Sequence, residues 1–274
     1  METLRLFDSH CHLDDRAFKG KLEHFLTRAA DAGVRRVLVA ACGEPSSFES
    51  LNMAGERCGV EIFAAAGVHP HEAKTVASGI PEELTDLSEN PKIRAIGECG
   101  LDYYYDHSAR EVQQRVFSEQ IEWAKRAEKP LLVHLRNATD RRTGDAYSEA
   151  MTLLEKAHAE QCGGVIHCFS GDWKDAQRAL ALGFYISFAG PLTFPKSHEL
   201  RAVAEKVPLD RILCETDCPY LAPQKYRGKQ NEPAYVREVY EKIAELRGLS
   251  LSTLAETVWE NGEKLFNCCG AAHV

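Results

Sequence analysis

Short apolar runs alternate with longer amphipathic ones along the whole of this chain, and that rhythm limits its fold more than any other feature. Eight runs read as strands: residues 4–10, 36–41, 62–68, 93–98, 131–135, 164–168, 184–188 and 212–215. A helical pattern follows each, beginning near Lys19, Pro45, Pro81, Ala109, Asp145, Asp172, Ser197 and Pro233. Eight strand-then-helix units without a Pro/Ser-rich linker predict an α/β fold, a (β/α)8 TIM-type barrel, as one domain over residues 1–274. An extra C-terminal helix is expected from about Ser252 to Phe266, with Thr253 and Glu256 at capping-box spacing. Its stripe of Leu254, Val258 and Leu265 should pack on the outside of the barrel. An open doubly wound sheet satisfies the same alternation, because periodicity does not encode strand order. The absence of G-x-G-x-x-G after any strand argues against a dinucleotide site.

The formal charge of −8 disfavours a broad basic face, so a nucleic-acid ligand would need locally placed cations or metal ions. Ten cysteines suggest a disulfide framework only until they are placed. Cys11, Cys42, Cys99, Cys168 and Cys214 fall in apolar runs that read as strands, and no C-x-x-C pair exists. Reduced, mostly buried thiols in a cytoplasmic protein are expected, with no role for Cys268 and Cys269. The opening residues lack the pattern of a signal peptide, and no run nears the roughly 20 apolar residues that span a bilayer. No membrane partner is expected.

Ionisable residues recur at one end of these strands, where a barrel carries its catalytic groups. The first strand runs into His10-Cys11-His12, whose two histidines share a face and can reach one metal ion together. Glu98 ends the fourth strand, His134 stands in the fifth, His167 in the sixth, and Glu215-Thr216-Asp217 closes the eighth. Each alone has a bland explanation, as a hydrogen-bonded core histidine or a helix-capping carboxylate. Invoking that explanation separately at every strand is uneconomical, because unpaired buried charge is costly. Four histidines and two carboxylates exceed the needs of one tetrahedral ion and suit a binuclear site bridged by Glu98. Two divalent metal ions are expected, drawn from Mg, Mn or Zn, although imidazole-rich ligation suits zinc, manganese, nickel or iron better than magnesium alone.

These segments resemble the TatD family of metal-dependent deoxyribonucleases, within the wider amidohydrolase-like barrels. The resemblance rests on Asp8-Ser9-His10-Cys11-His12-Leu13, Gly67-Val68-His69-Pro70, Gly97-Glu98-Cys99-Gly100-Leu101-Asp102-Tyr103-Tyr104 and Pro130-Leu131-Leu132-Val133-His134. It continues through Val165-Ile166-His167-Cys168-Phe169-Ser170-Gly171 and Glu215-Thr216-Asp217-Cys218-Pro219-Tyr220-Leu221-Ala222-Pro223 to Asn231-Glu232-Pro233. The resemblance implies that His10, His12 and Asp217 bind one ion, that His134 and His167 bind the other, and that Glu98 bridges them. It also implies that His69 faces the substrate phosphate and that Glu215 lies at the site. The implied activity is 3′–5′ exonuclease action on single-stranded DNA ends through a metal-bridging hydroxide, with Asp217, Glu98 and Glu215 as the catalytic carboxylates.

The fifth-strand segment departs from the family pattern, because His134-Leu135-Arg136-Asn137-Ala138 keeps the arginine and lacks a carboxylate at Asn137. Arg136, Arg227, Lys225 and Lys229 are candidate phosphate partners, the last three having solvated loop charge as the competing explanation. Within Tyr103-Tyr104-Tyr105, Tyr103 is the expected substrate contact, and at least one ring of the run should pack in the wall. Two rivals stand beside the nuclease. One is a D-aminoacyl-tRNA deacylase or other ester or amide hydrolase on the same metals. The other is a non-catalytic barrel that retains metal as a structural element or acts as a binding partner for a protein-export or stress complex.

Overall fold

Strands buried on both faces read as nearly unbroken apolar runs, and the strands of this sheet are of that kind. The computed structural model describes residues 4–267. Its strands are β1 (Leu6–Cys11), β2 (Val34–Val39), β3 (Gly55–Arg57), β4 (Val60–Ala66), β5 (Ile93–Asp102), β6 (Leu131–Arg136), β7 (Gly164–Ile166), β8 (Tyr185–Phe188) and β9 (Ile212–Cys214). The order β1-β2-β4-β5-β6-β7-β8-β9 is parallel throughout, and β3 is an antiparallel spur on β4. Bonds between the first and last strands draw the ring together: Ser9 Oγ donates to the Cys214 carbonyl at 3.1 Å, and the Asp217 amide donates to the His10 carbonyl at 3.0 Å. The result is an eight-stranded α/β barrel of TIM type, nearly closed, which excludes the open doubly wound sheet.

The helices are α1 (Leu22–Asp31), α2 (Glu44–Met53), α3 (Glu82–Asp86), α4 (Arg110–Ala127), α5 (Ala146–Lys156), α6 (Trp173–Ala181), α7 (His198–Lys206), α8 (Val236–Arg247) and α9 (Leu251–Leu265). Helix α4 shows why they pack as they do. Val116, Phe117, Gln120, Ile121, Trp123 and Ala124 recur at helical spacing and form its buried stripe. Its two buried glutamines do more than fill space. The Gln120 side chain accepts from the Val68 amide at 2.7 Å and donates to the Val68 carbonyl at 2.9 Å. Gln113 clamps Asp102 in the same way, at 2.8 and 3.1 Å. One helix thereby fixes the ends of two neighbouring strands, β4 and β5.

Two expectations need correction, and one strand was not foreseen. Strand β3 was not legible, because its two-residue turn is Cys58-Gly59, with φ of 51° and 75°, rather than the Asn-Gly that usually announces such a hairpin. Cys42 and Cys168 lie just beyond β2 and β7 rather than in strands, and Cys168 adopts a left-handed φ of 42° that ends the ladder. Helix α9 is capped by Ser250, whose hydroxyl accepts from the Thr253 amide at 3.1 Å, so the cap precedes the expected Thr253. That helix packs on the outside of the barrel, against the N-terminal ends of β1 and β9. Asn261 donates to the carbonyls of Leu209 and Ile212 at 2.8 and 2.9 Å, and a Cβ at Gly262 would run into the Phe7 ring.

Cys11, Cys99, Cys214 and Cys218 are buried free thiols, Cys58 is exposed, and Cys268 and Cys269 lie outside the described residues. No helix among the described residues is long and apolar enough to cross a membrane.

Candidate metal centre

Each predicted ligand lies in the C-terminal half of a barrel strand or the turn after it, and β5 runs on to Asp102, so Glu98 stands within its strand rather than at its expected end. His10 lies in β1 and His12 follows it, Glu98 is in β5, His134 in β6, His167 follows β7, and Asp217 follows β9. Bulky neighbours would prevent their approach. Gly97 and Gly100 hold φ of 146° and 135°, and a Cβ at Gly100 would overlap the His134 carbonyl. Glycine therefore lets β5 press against β6 where Glu98 and His134 must meet.

Glu98 is the hub, with its two oxygens serving different neighbours. Oε2 lies 3.3 Å from His10 Nε2 and 3.4 Å from His12 Nε2, and Asp217 Oδ1 is 3.4 Å from that same His12 nitrogen. Oε1 lies 2.8 Å from both His134 Nδ1 and His167 Nε2. Within each group the ring nitrogens are 3.2 Å apart (His10 and His12) and 3.1 Å apart (His134 and His167). Donors on a tetrahedral ion with bonds of about 2.0–2.1 Å stand about 3.3 Å from one another, so both groups have the spacing of a ligand shell. All six predicted ligand residues are thus brought together.

The far side of each ring decides which nitrogen is free. His167 Nδ1 faces Glu215 Oε1 at 3.2 Å, and His134 Nε2 faces Asp102 Oδ2 at 3.2 Å. A carboxylate behind an imidazole fixes the proton on that side and leaves the opposite lone pair for a metal. Glu215, expected among the catalytic carboxylates, stands behind His167 instead of facing the cavity. It is wholly buried, also accepts from the Cys168 amide at 2.8 Å, and is not part of the cavity wall. Asp102 holds His71 Nε2 at 2.9 Å as well, and its Oδ1 accepts from the amides of Tyr104 and Tyr105. Burial alone would raise Asp102, but its bonds to His134 and His71 hold it far below the ordinary carboxylate range.

His69 behaves differently. Its Nδ1 accepts the His71 amide at 3.1 Å, and burial pulls its pKa down to about 4, so at neutral pH it is uncharged and carries its proton on Nε2. That nitrogen, 3.3 Å from Glu98 Oε1, presents a donor rather than a lone pair. Burial also opposes ionisation of Glu98 and Asp217. The charge of a protonated His167 nevertheless keeps Glu98 well below its ordinary value, and the hydrogen bond to His12 with that same charge does so for Asp217.

The centre opens into a cavity of about 630 Å³ whose wall includes Arg136, His71, Tyr105, Tyr220 and Leu221. Two expected substrate contacts are not in that wall. Tyr103 is buried, and its hydroxyl donates to Glu149 Oε2 at 2.7 Å, so it is the packing member of its run. Arg227 stacks on Phe194, 4.3 Å from ring centre to guanidinium carbon, and Lys225 is tied to Glu238 at 2.7 Å. Sequence reasoning missed His71, Asp102, Tyr220 and Leu221 as site residues. His71 had a signal, since it stands two residues after His69, and Asp102 closes the same strand as Glu98. Tyr220 and Leu221 had none beyond following Asp217.

The family model described as TatD related DNase matches residues 7–267. The chain is 38% identical over 261 residues to "Uncharacterized metal-dependent hydrolase YabD" of Bacillus subtilis (strain 168), covering 95% of this chain and 98% of that one. It is 33% identical over 266 residues to "3'-5' ssDNA/RNA exonuclease TatD" of Escherichia fergusonii, covering 95% and 98%. Among solved structures, the YJJV TatD homolog from Escherichia coli K12 superposes with a TM-score of 0.83 at 31% identity, over 97% of this chain and 99% of that one.

Proposed function

Because the chain belongs to the TatD-related DNase family, we propose that it is a metal-dependent hydrolase of phosphodiesters, a 3′–5′ exonuclease acting on single-stranded DNA ends. One observation carries the reading. Glu98 divides its two oxygens between two separate groups of donors, as a carboxylate shared by two divalent cations must. His10, His12 and Asp217 would hold one ion, His134 through Nδ1 and His167 through Nε2 the other, and Glu98 both. Divalent cations bound there supply Lewis acidity toward a phosphoryl oxygen and lower the pKa of water.

The chain's own residues do the rest. Asp217, kept anionic, accepts a proton from the attacking water at its carboxylate. The water oxygen bonds to phosphorus as the bond to the leaving 3′ oxygen breaks, and that oxygen takes its proton from solvent. His69 donates Nε2–H to a phosphoryl oxygen as charge builds there. Arg136 has no carboxylate at ion-pair distance among the described residues, and its donors are free for a flanking phosphate. With a net charge of −8 and a site recessed in a barrel mouth, the chain suits a strand end better than a long duplex.

The test strips the protein with chelator, reloads it with Mg, Mn or Zn, and follows loss of 3′ nucleotides from a 5′-labelled single strand. A D-aminoacyl-tRNA and a simple ester are assayed alongside. Metal-dependent release of mononucleotides from the 3′ end is expected. A loaded protein that leaves the strand intact while hydrolysing either ester would overturn the reading.

A further inference from the structure

Five large hydrophobic side chains are left exposed among the described residues, Phe48, Tyr104, Tyr105, Tyr220 and Leu221, and the last four gather at the mouth of the metal cavity. Tyr105, Tyr220 and Leu221 line the metal cavity, and Tyr104 meets Tyr105 edge-on at 4.9 Å. Phe48 sits in the first half of α2, just after the loop that brings Cys42 to the same cavity. Isolated exposed hydrophobics are ordinary, but a set gathered on one rim marks a surface that receives something.

Strand order says how the rim is arranged. Tyr105 follows β5 and Tyr220 follows β9, the fourth and eighth places in the ring, so they stand across the mouth from each other. Both are held in place from behind. Asp102 Oδ1 accepts the amides of Tyr104 and Tyr105, each at 2.9 Å, and His107 stacks on the Tyr105 ring at 5.5 Å and 14°. The Tyr220 hydroxyl donates to Asp15 Oδ2 at 3.1 Å, while its ring meets His12 edge-on at 6.0 Å. Tyr220 thus touches a residue of the metal centre and faces solvent, with 55% of its surface exposed. The charge at this rim is also informative. The Arg136 guanidinium lies 4.2 Å over Tyr104 and 4.8 Å over Tyr105, so an anion-binding group and flat aromatic faces share one wall.

We propose that Tyr105 and Tyr220 are opposing stacking jaws for unpaired nucleobases, which hold the last bases of a strand while its terminal phosphodiester lies over the metal centre. Every base offers a π-face, so such a grip tolerates any sequence and reads only whether the base is free to be stacked. A paired end keeps its terminal bases engaged with each other and with the next pair, so the jaws select single-stranded ends. The proposal rests on the exonuclease reading.

The experiment compares a single strand with the same strand carrying abasic residues at its last two 3′ positions, in deoxyribose and ribose forms, for wild type, Tyr105→Ala, Tyr105→Phe, Tyr220→Ala and Tyr220→Phe. Wild type should prefer the normal end by about five- to a hundredfold in kcat/KM. Each alanine variant should shrink that preference by the worth of one stacked base, about fivefold or more, chiefly through KM, and each phenylalanine variant should keep it, because the ring survives. Alanine variants with the full wild-type preference would overturn the jaws while leaving the exonuclease reading intact. Equilibrium binding of a fluorescent single strand separates the opposite failure. Where wild type binds the normal strand without cleaving it and Tyr220→Ala loses that binding, the jaws stand and the exonuclease reading falls. No preference of wild type for normal over abasic strands, in cleavage or in binding, refutes the jaws.

Discussion

Replacing Glu215 separates a centre whose histidines are aimed from behind from one whose ligands merely happen to be close. The side chain is wholly buried, and its Oε1 accepts from His167 Nδ1 at 3.2 Å and from the Cys168 amide at 2.8 Å. Glu215→Ala strands both donors in a buried site. An unsatisfied donor costs about 1–3 kcal/mol, so the pair costs about 2–6 kcal/mol, a large part of the ~5–15 kcal/mol that holds a domain together. The alanine variant therefore confounds stability with function, and Glu215→Gln is the sharper probe. Glutamine keeps the volume and an acceptor oxygen but turns charge-assisted bonds into neutral ones, at a cost of about 1–2 kcal/mol in total. For a chain of this size that corresponds to a fall in Tm of roughly 2–8 °C. Metal affinity should suffer more, because an imidazole that loses its carboxylate is less basic and less firmly aimed, typically about 10- to 100-fold. Calorimetric titration of zinc or manganese into chelator-treated protein, with thermal unfolding in parallel, reads both quantities. The expected outcome is one weakened class of site, the His134–His167 side, beside one that is nearly unchanged. If Glu215→Gln binds both ions with wild-type affinity, His167 is not set by its rear carboxylate and the reasoning is wrong.

Three further outcomes are expected. Glu98→Ala removes the shared carboxylate, so circular dichroism should stay native while bound metal and turnover collapse; full activity in this variant excludes a bridged pair. Gly100→Ala puts a Cβ against the His134 carbonyl at a φ of 135°, so it should lose more than about 3 kcal/mol, seen as a large fall in Tm or as insoluble protein. Metal at a hundredfold excess over its Kd should add about 2.7 kcal/mol of stability, so chelation should lower Tm by several degrees; a melting curve indifferent to chelator would mean the donors hold no ion.

The barrel was legible because strands covered on both faces leave continuous apolar runs, and all eight barrel strands overlap residues read as strands. The six donors were legible because a charged or imidazole group closing such a run has no comfortable place in a core. What stands behind the donors was not legible. Asp102 and Glu215 serve His134 and His167 across neighbouring or more distant strands, and Gln113 and Gln120 reach the ends of β5 and β4 from a helix. Such partnerships depend on strand order and depth, which periodicity does not carry. The tyrosine run shows the same limit at closer range. Strand alternation made Tyr103 as good a candidate as Tyr105, but the Asp102 side chain bends the chain just after β5, leaving Tyr103 against Glu149 and Tyr105 at the cavity. Arg227 stands well beyond the end of β9 rather than just after it, and its guanidinium lies over Phe194.

Three of the eight non-glycine residues with positive φ among the described residues lie at the candidate metal centre. After α1, α6 and α8 the chain turns through Gly33, Gly183 and Gly248, which take positive φ without steric penalty. At the metal centre the same left-handed region is occupied by Cys168, Asp217 and Leu221, at φ of 42°, 57° and 54°. For a residue with a Cβ this costs about 1–2 kcal/mol, so glycine would be the easier choice on backbone grounds alone. At position 217 glycine cannot serve, because the residue whose amide is tied to the His10 carbonyl must also carry the carboxylate that reaches His12 Nε2. The turn that follows is pressed inward as well. A Cβ at Gly190 would collide with the Leu221 carbonyl, so the smallest residue at 190 lets the segment bearing Tyr220 and Leu221 close over the cavity edge. In this loop the left-handed backbone at Asp217 carries a side chain that glycine could not supply, which ties the loop's conformation to both the predicted ligand and the cavity rim.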